Sequence, residues 1–365
     1  MAASNRSLVT PTTNPALEKA LREKLAARHE SGGSLGELEP LAIRLGLMQN
    51  KLRPQFNDPQ LLVFAADHGL VVEDLRDPDV RSTQDTVRML LANQLPVSMF
   101  ARAQGLDLTV VDCGMAENMV PHDRLLVRKI AYGTRNARRT LAMTMEQAHA
   151  GMRAGMQIGE QLRGNLTVLA GIGVGSHESA ALVLSRLTDS PVRDLIVAGP
   201  KMSHEHLQHL LLVLKGAHAR HRGVTDPIEV LAALGGFEVA VMVGVMLVAA
   251  SKRHLLMIDG VPACAALMLA AKIAQPVIDY CVFSRSHGHL GLDQALNLFR
   301  ASALIELGLE STDGTGAALA WPLVKSAAAL LGDLTEGEEE GDLEQPVEDF
   351  EEPVSEPSPF GAALY

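Results

Sequence analysis

Aromatic residues are scarce in this chain: one Trp, three Tyr and eight Phe in 365 residues, 3% in all. A surface for single-stranded nucleic acid stacks bases on aromatic side chains, so that class has little to be built from. Cysteine is scarcer still. Cys113, Cys264 and Cys281 are odd in number, widely spaced and set in apolar sequence, which argues against a disulfide framework or zinc knuckle and reads as reduced thiols in a core. No run approaches the ~20 apolar residues of a membrane span; the most apolar, residues 239–250, is short and runs into Lys252 and Arg253. The first residues lack the apolar core of a secretion signal. We therefore expect a cytoplasmic protein that binds neither membrane nor nucleic acid. The chain also has no Gly-x-Ser-x-Gly elbow and no clear activated cysteine, which disfavours nucleophilic hydrolase chemistry.

Negative charge is abundant but localised. The formal net charge is −11, yet twelve of the 43 acidic residues lie within residues 333–356, where there is no Lys or Arg. The body is therefore about neutral. Residues 333–365 are rich in Glu and Pro and poor in apolar side chains, so they cannot bury enough surface to offset their ordering entropy. They are expected to form an acidic disordered tail.

Before that tail, short apolar runs alternate with longer helical patterns. Residues 61–66 read as a buried strand ending in Asp67-His68-Gly69, and residues 106–111 as another ending in Asp112-Cys113-Gly114. Residues 166–170 before Gly171, 195–198 before Gly199, 254–258 before Asp259 and 277–283 before Ser284 read the same way. Between them, Thr144 and Gln147 fit a capping box, Asp226-Pro227 fits an N-cap followed by Pro in the first turn, and residues 237–250 form a helix apolar nearly all round. This alternation predicts an α/β fold with a mainly parallel, Rossmann-like sheet and helices on both faces. In such sheets ligands bind beyond the carboxyl ends of the strands, so the Gly, Asp and Ser residues ending these runs should converge. Residues 1–55 and 291–332 lack the strand rhythm. They read as helical parts of one smaller domain beside an α/β domain spanning 56–290.

Three groups of residues carry candidate chemistry. Asp313 sits in a glycine-bearing turn that runs into an apolar helix, "DGTGAALAWPLV", residues 313–324. It is either a cap for that helix or a base beside backbone that Gly314 and Gly316 allow close to a ligand. In "LAGIGVGSHESAALVL", residues 169–184, Gly171, Gly173 and Gly175 lie between a strand and a helix. With Ser176 they could aim backbone N–H groups at a phosphate or simply make a tight turn. The histidines are densest at His204, His206 and His209 and at His287 and His289, but no Cys pair or HExxH helix accompanies them. No metal site is expected.

Taken together, "VFAADHG" (residues 63–69), "LGGFEVAVMVGVML" (234–247), "LLMIDGVPACAAL" (255–267) and "DGTGAALAWPLV" resemble the nicotinate-nucleotide:dimethylbenzimidazole phosphoribosyltransferase family, and "SGGSLGELEPLA" (31–42) resembles its N-terminal Gly-Ser-Leu-Gly segment. The resemblance runs from about residue 16 to 332. It implies an α/β domain with a small helical domain, a homodimer, and transfer of phosphoribose from nicotinate mononucleotide to an aromatic base with neither metal nor organic cofactor. It assigns Asp313 as the catalytic carboxylate, Gly171, Gly173, Gly175, Ser176, Gly314, Thr315 and Gly316 to the nucleotide, and Asp67, His68, Gly69 and Ser34 to the base pocket.

The chain departs from the family pattern at several polar positions. Asp313 stands where the family's Gly-Glu-Gly-x-Gly motif carries Glu. Leu169 and Val174-Gly175-Ser176 stand where its loop carries Glu and Asn-Thr-Thr, Glu30-Ser31 where it has Lys-Pro, and Ser286 where it has another Glu. Residues 76–84 correspond only loosely to its base-pocket segment. Three readings are open at this point: a transferase for dimethylbenzimidazole or a related base, a transferase for another acceptor, and a non-catalytic or partner-dependent binding protein.

Overall fold

The computed structural model describes residues 8–75, 80–196, 202–286 and 290–332. The acidic segment 333–365, the pair His287 and His289, and Gly199 lie outside these residues.

Among the described residues seven strands make one sheet: β1 Gln60–Ala66, β2 Asp107–Gly114, β3 Leu125–Val127, β4 Leu166–Ile172, β5 Leu255–Asp259, β6 Cys281–Ser286 and β7 Ala303–Glu306. Their order is β3-β2-β1-β4-β5-β6-β7, and every neighbouring pair is parallel. All residues of β1 and β4 are buried. Successive side chains of a strand point to opposite faces, so complete burial means that both faces are covered. This is the reason these strands read as unbroken apolar runs and not as alternating ones.

The helices carry the caps that the sequence announces. Thr144 and Gln147 form a complete capping box at the start of the Met145–Glu160 helix. Asp226 accepts from the N–H groups of Ile228 and Glu229, with Pro227 in the first turn. The Phe237–Ser251 helix is buried through Ala250 and packs closely on Met145–Glu160. A Cβ at Gly155 would lie 1.9 Å from the Val241 carbonyl oxygen, so glycine lets the two backbones touch.

Four local expectations change. Of the run 195–198, Leu195 ends a short helix, Val192–Leu195, that Pro191 precedes, and Ile196 lies in no strand, while 197 and 198 lie outside the described residues; β4 pairs directly with β5, leaving no slot between them. In residues 277–283 the apolar run opens as a 3-10 helix, Gln275–Tyr280, with Pro276 in its first turn, and the strand begins only at Cys281. Two further strands lie outside the expected set. β3 and β7 are three and four residues long, lie at the two sheet edges and are at most half-buried, so each leaves an apolar stretch of only three residues, Leu125–Val127 and Ala303–Ile305, too short to read as a strand. Residues 291–332, read as helical, therefore include a strand of the main sheet. Their last helix, Thr315–Ala329, packs on the N-terminal Leu38–Gln49 helix as well as on β5, β6 and β7.

Cys113, Cys264 and Cys281 are free and buried. Burial pushes the Cys264 thiol up to about 12. No helix among the described residues is long and apolar enough to cross a membrane.

Candidate active site

Strand order reverses between β1 and β4, both of which begin crossovers to opposite sides of the sheet. A crevice opens beyond the carboxyl ends of strands at such a switch point. Two cavities lie here. The larger, about 610 Å³, is bounded by Gly173 and Val174 after β4, by Thr83 and Thr86 of the Thr83–Leu91 helix, and by residues 309–313. Leu95, Pro96, Phe100, Ile172 and Leu309 give it apolar walls; Arg81, His177 and Asp313 are among its polar groups. The smaller, about 360 Å³, is lined by Asp67, His68, Gly69, Gln84, Glu117, Tyr132 and Thr134, among others. Thr83 and Val174 belong to both. The larger volume falls within the range of small-molecule sites.

Thr83, which the sequence does not single out, ties the two strand ends together. Its hydroxyl donates to Asp67 Oδ1 and accepts from the Val174 N–H at 3.0 Å. Asp67 Oδ2 accepts from the Ala116 N–H at 2.7 Å, so this carboxylate also joins β1 to the chain leaving β2. Gly69 must lack a side chain because a Cβ there would meet the Thr134 carbonyl oxygen at 2.5 Å.

His68 is fixed from behind. Its Nε2 lies 3.0 Å from Glu238 Oε1, which also accepts from the Ser176 hydroxyl at 2.8 Å. Glu238 is completely buried, and its Oε2 has no hydrogen-bond partner among the described residues. Burial by itself would lower the His68 pKa, but the Glu238 carboxylate raises it above the ordinary histidine value. Glu238 is not among the sequence candidates, although a lone acid within a long apolar helix is a signal for a buried partner.

The phosphate-loop candidates turn out to be closely engaged with the protein itself. A Cβ at Gly171 would touch Pro262 at 2.7 Å, one at Gly173 would lie 1.7 Å from the Ala66 carbonyl oxygen, and one at Gly175 would meet His68 Cβ at 2.8 Å. Gly173 and Gly175 also have φ of 148° and 87°. Of these residues, only Gly173 lines the larger cavity. Ser176 begins the Ser176–Thr188 helix.

Asp313 both caps and faces the cavity. Its Oδ1 accepts from the Thr315 N–H at 3.2 Å, the Thr315 hydroxyl at 2.6 Å and the Ser311 hydroxyl. No described residue donates to its Oδ2. Gly314, with φ of 97°, makes the turn into the Thr315–Ala329 helix; Thr315 lines the cavity with Asp313. Gly316 instead packs on Arg285, whose Cδ would lie 2.3 Å from an added Cβ. Ser34 lies apart from both cavities, exposed, with its hydroxyl on Glu39. Of the histidine group, His204 bonds to Gln208 and His209 to the Glu73 carbonyl. No cluster of three metal-ligating side chains occurs among the described residues.

A family model described as phosphoribosyltransferase matches residues 10–341. The nicotinate-nucleotide–dimethylbenzimidazole phosphoribosyltransferase of Janthinobacterium sp. (strain Marseille) is 35% identical over 89% of this chain and 95% of its own length. That of Cupriavidus taiwanensis is 38% identical over 88% and 94%. The chain belongs to this phosphoribosyltransferase family. Its fold is the family's fold: a solved enzyme of the same name from Thermus thermophilus superposes with a TM-score of 0.80 at 28% identity, covering 87% of this chain and 96% of that one. Against this family's polar loop, Leu169 is a core residue of β4, paired in register with Leu62 and Ile258. Val174 is an apolar wall shared by both cavities.

Proposed function

We propose that this chain transfers phosphoribose from nicotinate mononucleotide to 5,6-dimethylbenzimidazole or a closely related base, giving alpha-ribazole phosphate and nicotinate, with Asp313 as the proton acceptor. The carrying observation is a carboxylate with one oxygen anchored by three donors and the other accepting from no described residue, at the wall of an apolar cavity large enough for a small-molecule reaction.

The chemistry follows from that placement. One nitrogen of the acceptor attacks C1′ of the ribose while the bond to nicotinate breaks. The bonding electrons return to the positively charged pyridine ring, so the leaving group needs little acid help. The acceptor's other nitrogen must lose its proton, and Asp313 Oδ2 takes it. The acceptor ring fits between Leu95, Pro96, Phe100 and Leu309. The 5′-phosphate lies toward Gly173 and the start of the Ser176–Thr188 helix, whose positive end favours an anion, with Arg81, which lines the same cavity, supplying charge. Thr315 borders the ribose. The smaller cavity, with Asp67, His68 and Gly69, adjoins this site through Thr83. Orientation in a largely apolar cavity would supply most of the acceleration. By resemblance to the family, the same reading expects a homodimer acting in the cytoplasm, and light scattering of the purified chain would measure the former.

The test is nicotinate release from nicotinate mononucleotide, followed with and without 5,6-dimethylbenzimidazole and with product mass recorded. Release that requires the base, with formation of its ribotide, is expected. Nucleotide binding without release across a series of azoles and phenols would sink the transferase reading and leave a binding protein.

A further inference from the structure

Asp313 reaches its cavity from an irregular segment. Between β7 and the Thr315–Ala329 helix, residues 307–314 form no regular structure, and aspartate has a short stem. How far its carboxylate reaches therefore depends on what holds the backbone around it. Two side chains from the sheet do so. Arg285 of β6 donates from Nε to Asp259 Oδ1 at 2.7 Å and from Nη1 to the Leu309 carbonyl at 2.5 Å. Asp259, at the end of β5, accepts from the Ala317 N–H on Oδ2 at 3.1 Å. Leu309 lies four residues before Asp313 and Ala317 four residues after it. One ion pair thus grips the chain on both sides of the candidate base.

We propose that Asp259 and Arg285 are a positioning pair for the transfer reaction, a buried clamp that sets how far the Asp313 carboxylate reaches toward the acceptor nitrogen. The inference rests on reading Asp313 as the proton acceptor.

The clamp is hard to explain as a stabilising device. Both side chains are at most 1% exposed, and removing two charges from water commonly costs as much as their attraction returns. Arg285 Nη2 is also buried with no partner among the described residues, which adds a desolvation penalty. What the pair does provide is direction. Nε and Nη1 lie in one rigid plane, so fixing Nε on Asp259 fixes where Nη1 holds Leu309. Gly316 accommodates the arrangement, since any Cβ there would strike the Arg285 stem. Burial raises the Asp259 carboxyl above its usual range; Arg285 opposes that rise and the nearby Asp313 adds to it, so the two carboxylates sense each other electrostatically.

Two variants test the inference. Arg285→Lys keeps the charge but loses the fork. The double variant Asp259→Asn with Arg285→Met replaces the ion pair by neutral groups of similar volume, a kind of change that is often neutral or stabilising. For each, the thermal midpoint, nucleotide affinity, and kcat and KM for nicotinate release are measured with benzimidazoles of graded N–H acidity, beside Asp313→Asn. The expected result is a folded double variant with unchanged nucleotide affinity and kcat lowered ~10²-fold, the loss expected from a base misplaced by about an ångström. The loss should be greater for the less acidic benzimidazoles, which depend most on a base. A folded double variant with wild-type kcat would overturn the clamp, as would an equal loss for every acceptor, and Arg285→Lys decides by the same two criteria if the double variant does not fold. The underlying reading of Asp313 fails by a different sign, wild-type turnover in Asp313→Asn.

Discussion

Replacing Asp313 by asparagine separates the two roles that the structure gives this residue. All three donors converge on Oδ1, and an asparagine carbonyl oxygen can take that place with its amide nitrogen where Oδ2 now stands. Asn and Asp cap helices about equally well. Making the acceptor neutral weakens each bond, so the expected cost in stability is about 1 kcal/mol. Catalysis should respond on a different scale. A positioned base contributes ~10²–10⁴ in rate, or ~3–5 kcal/mol of barrier. The assay is base-dependent nicotinate release at saturating nucleotide, with nucleotide affinity and urea unfolding measured on the same preparations. The expected outcome is turnover reduced ~10²–10⁴-fold, nucleotide affinity held and stability lowered by only about 1 kcal/mol. Asp313→Glu extends the reach by one methylene and should keep substantial activity. Equal turnover for wild type and Asp313→Asn would leave the carboxylate as a cap alone and refute the reasoning.

Three further outcomes follow from particular contacts. Gly173→Ala places a Cβ against the Ala66 carbonyl at a φ that side chains rarely adopt, so it should cost at least ~3 kcal/mol; urea unfolding within about 0.5 kcal/mol of wild type would contradict the close approach. Phe100→Ala removes part of the apolar wall from a half-buried ring and should raise KM for the aromatic acceptor about fivefold, for ~1 kcal/mol of lost contact, with nucleotide affinity unchanged; an unchanged acceptor KM would move the base elsewhere. Because the folded His68 pKa is raised above 6.5, its pairing with Glu238 contributes fully below that pH and is lost as pH rises through the folded pKa. The thermal-midpoint advantage of wild type over Glu238→Gln should therefore shrink from about pH 6 to about pH 9, and a constant or growing difference would show that His68 is not charged in the pair.

What could be read from the sequence was set by where its information lies along the chain. β1, β4 and β5 announce themselves because coverage on both faces demands an unbroken apolar run. β3 and β7 do not, because short edge strands need only a few backbone bonds and little burial. Leu195, read as the start of a strand but the last residue of a short helix, illustrates the converse error: apolar composition in a short run does not distinguish a strand from a turn of buried helix. Asp67, His68 and Asp313 were visible because each interrupts an apolar element at a strand or helix end. Their partners were not. Glu238 lies 170 residues from His68, and Arg285 meets Asp259 across 26 residues; such pairings exist only once the sheet has assembled.

The glycines of residues 171–175 show how the same pattern can serve two purposes. A Gly-x-Gly-x-Gly turn before a helix suggests space cleared for a ligand, yet here each glycine clears space for Pro262, Ala66 or His68. The Val174 N–H is already bonded to Thr83 and the Ser176 N–H to the Gly173 carbonyl. The turn therefore first serves to bring β1, β4 and the Ser176–Thr188 helix into contact at the point where strand order reverses. A ligand in the larger cavity meets that junction from outside, through whatever side chains surround it. Arg81 and Thr86 come from either side of the start of the Thr83–Leu91 helix, His177 from the first turn of the Ser176–Thr188 helix and Asp313 from the turn before Thr315, and none of the four is one of the glycines. Substitution at those four positions should change what the site accepts, whereas substitution of the glycines should change whether the site exists.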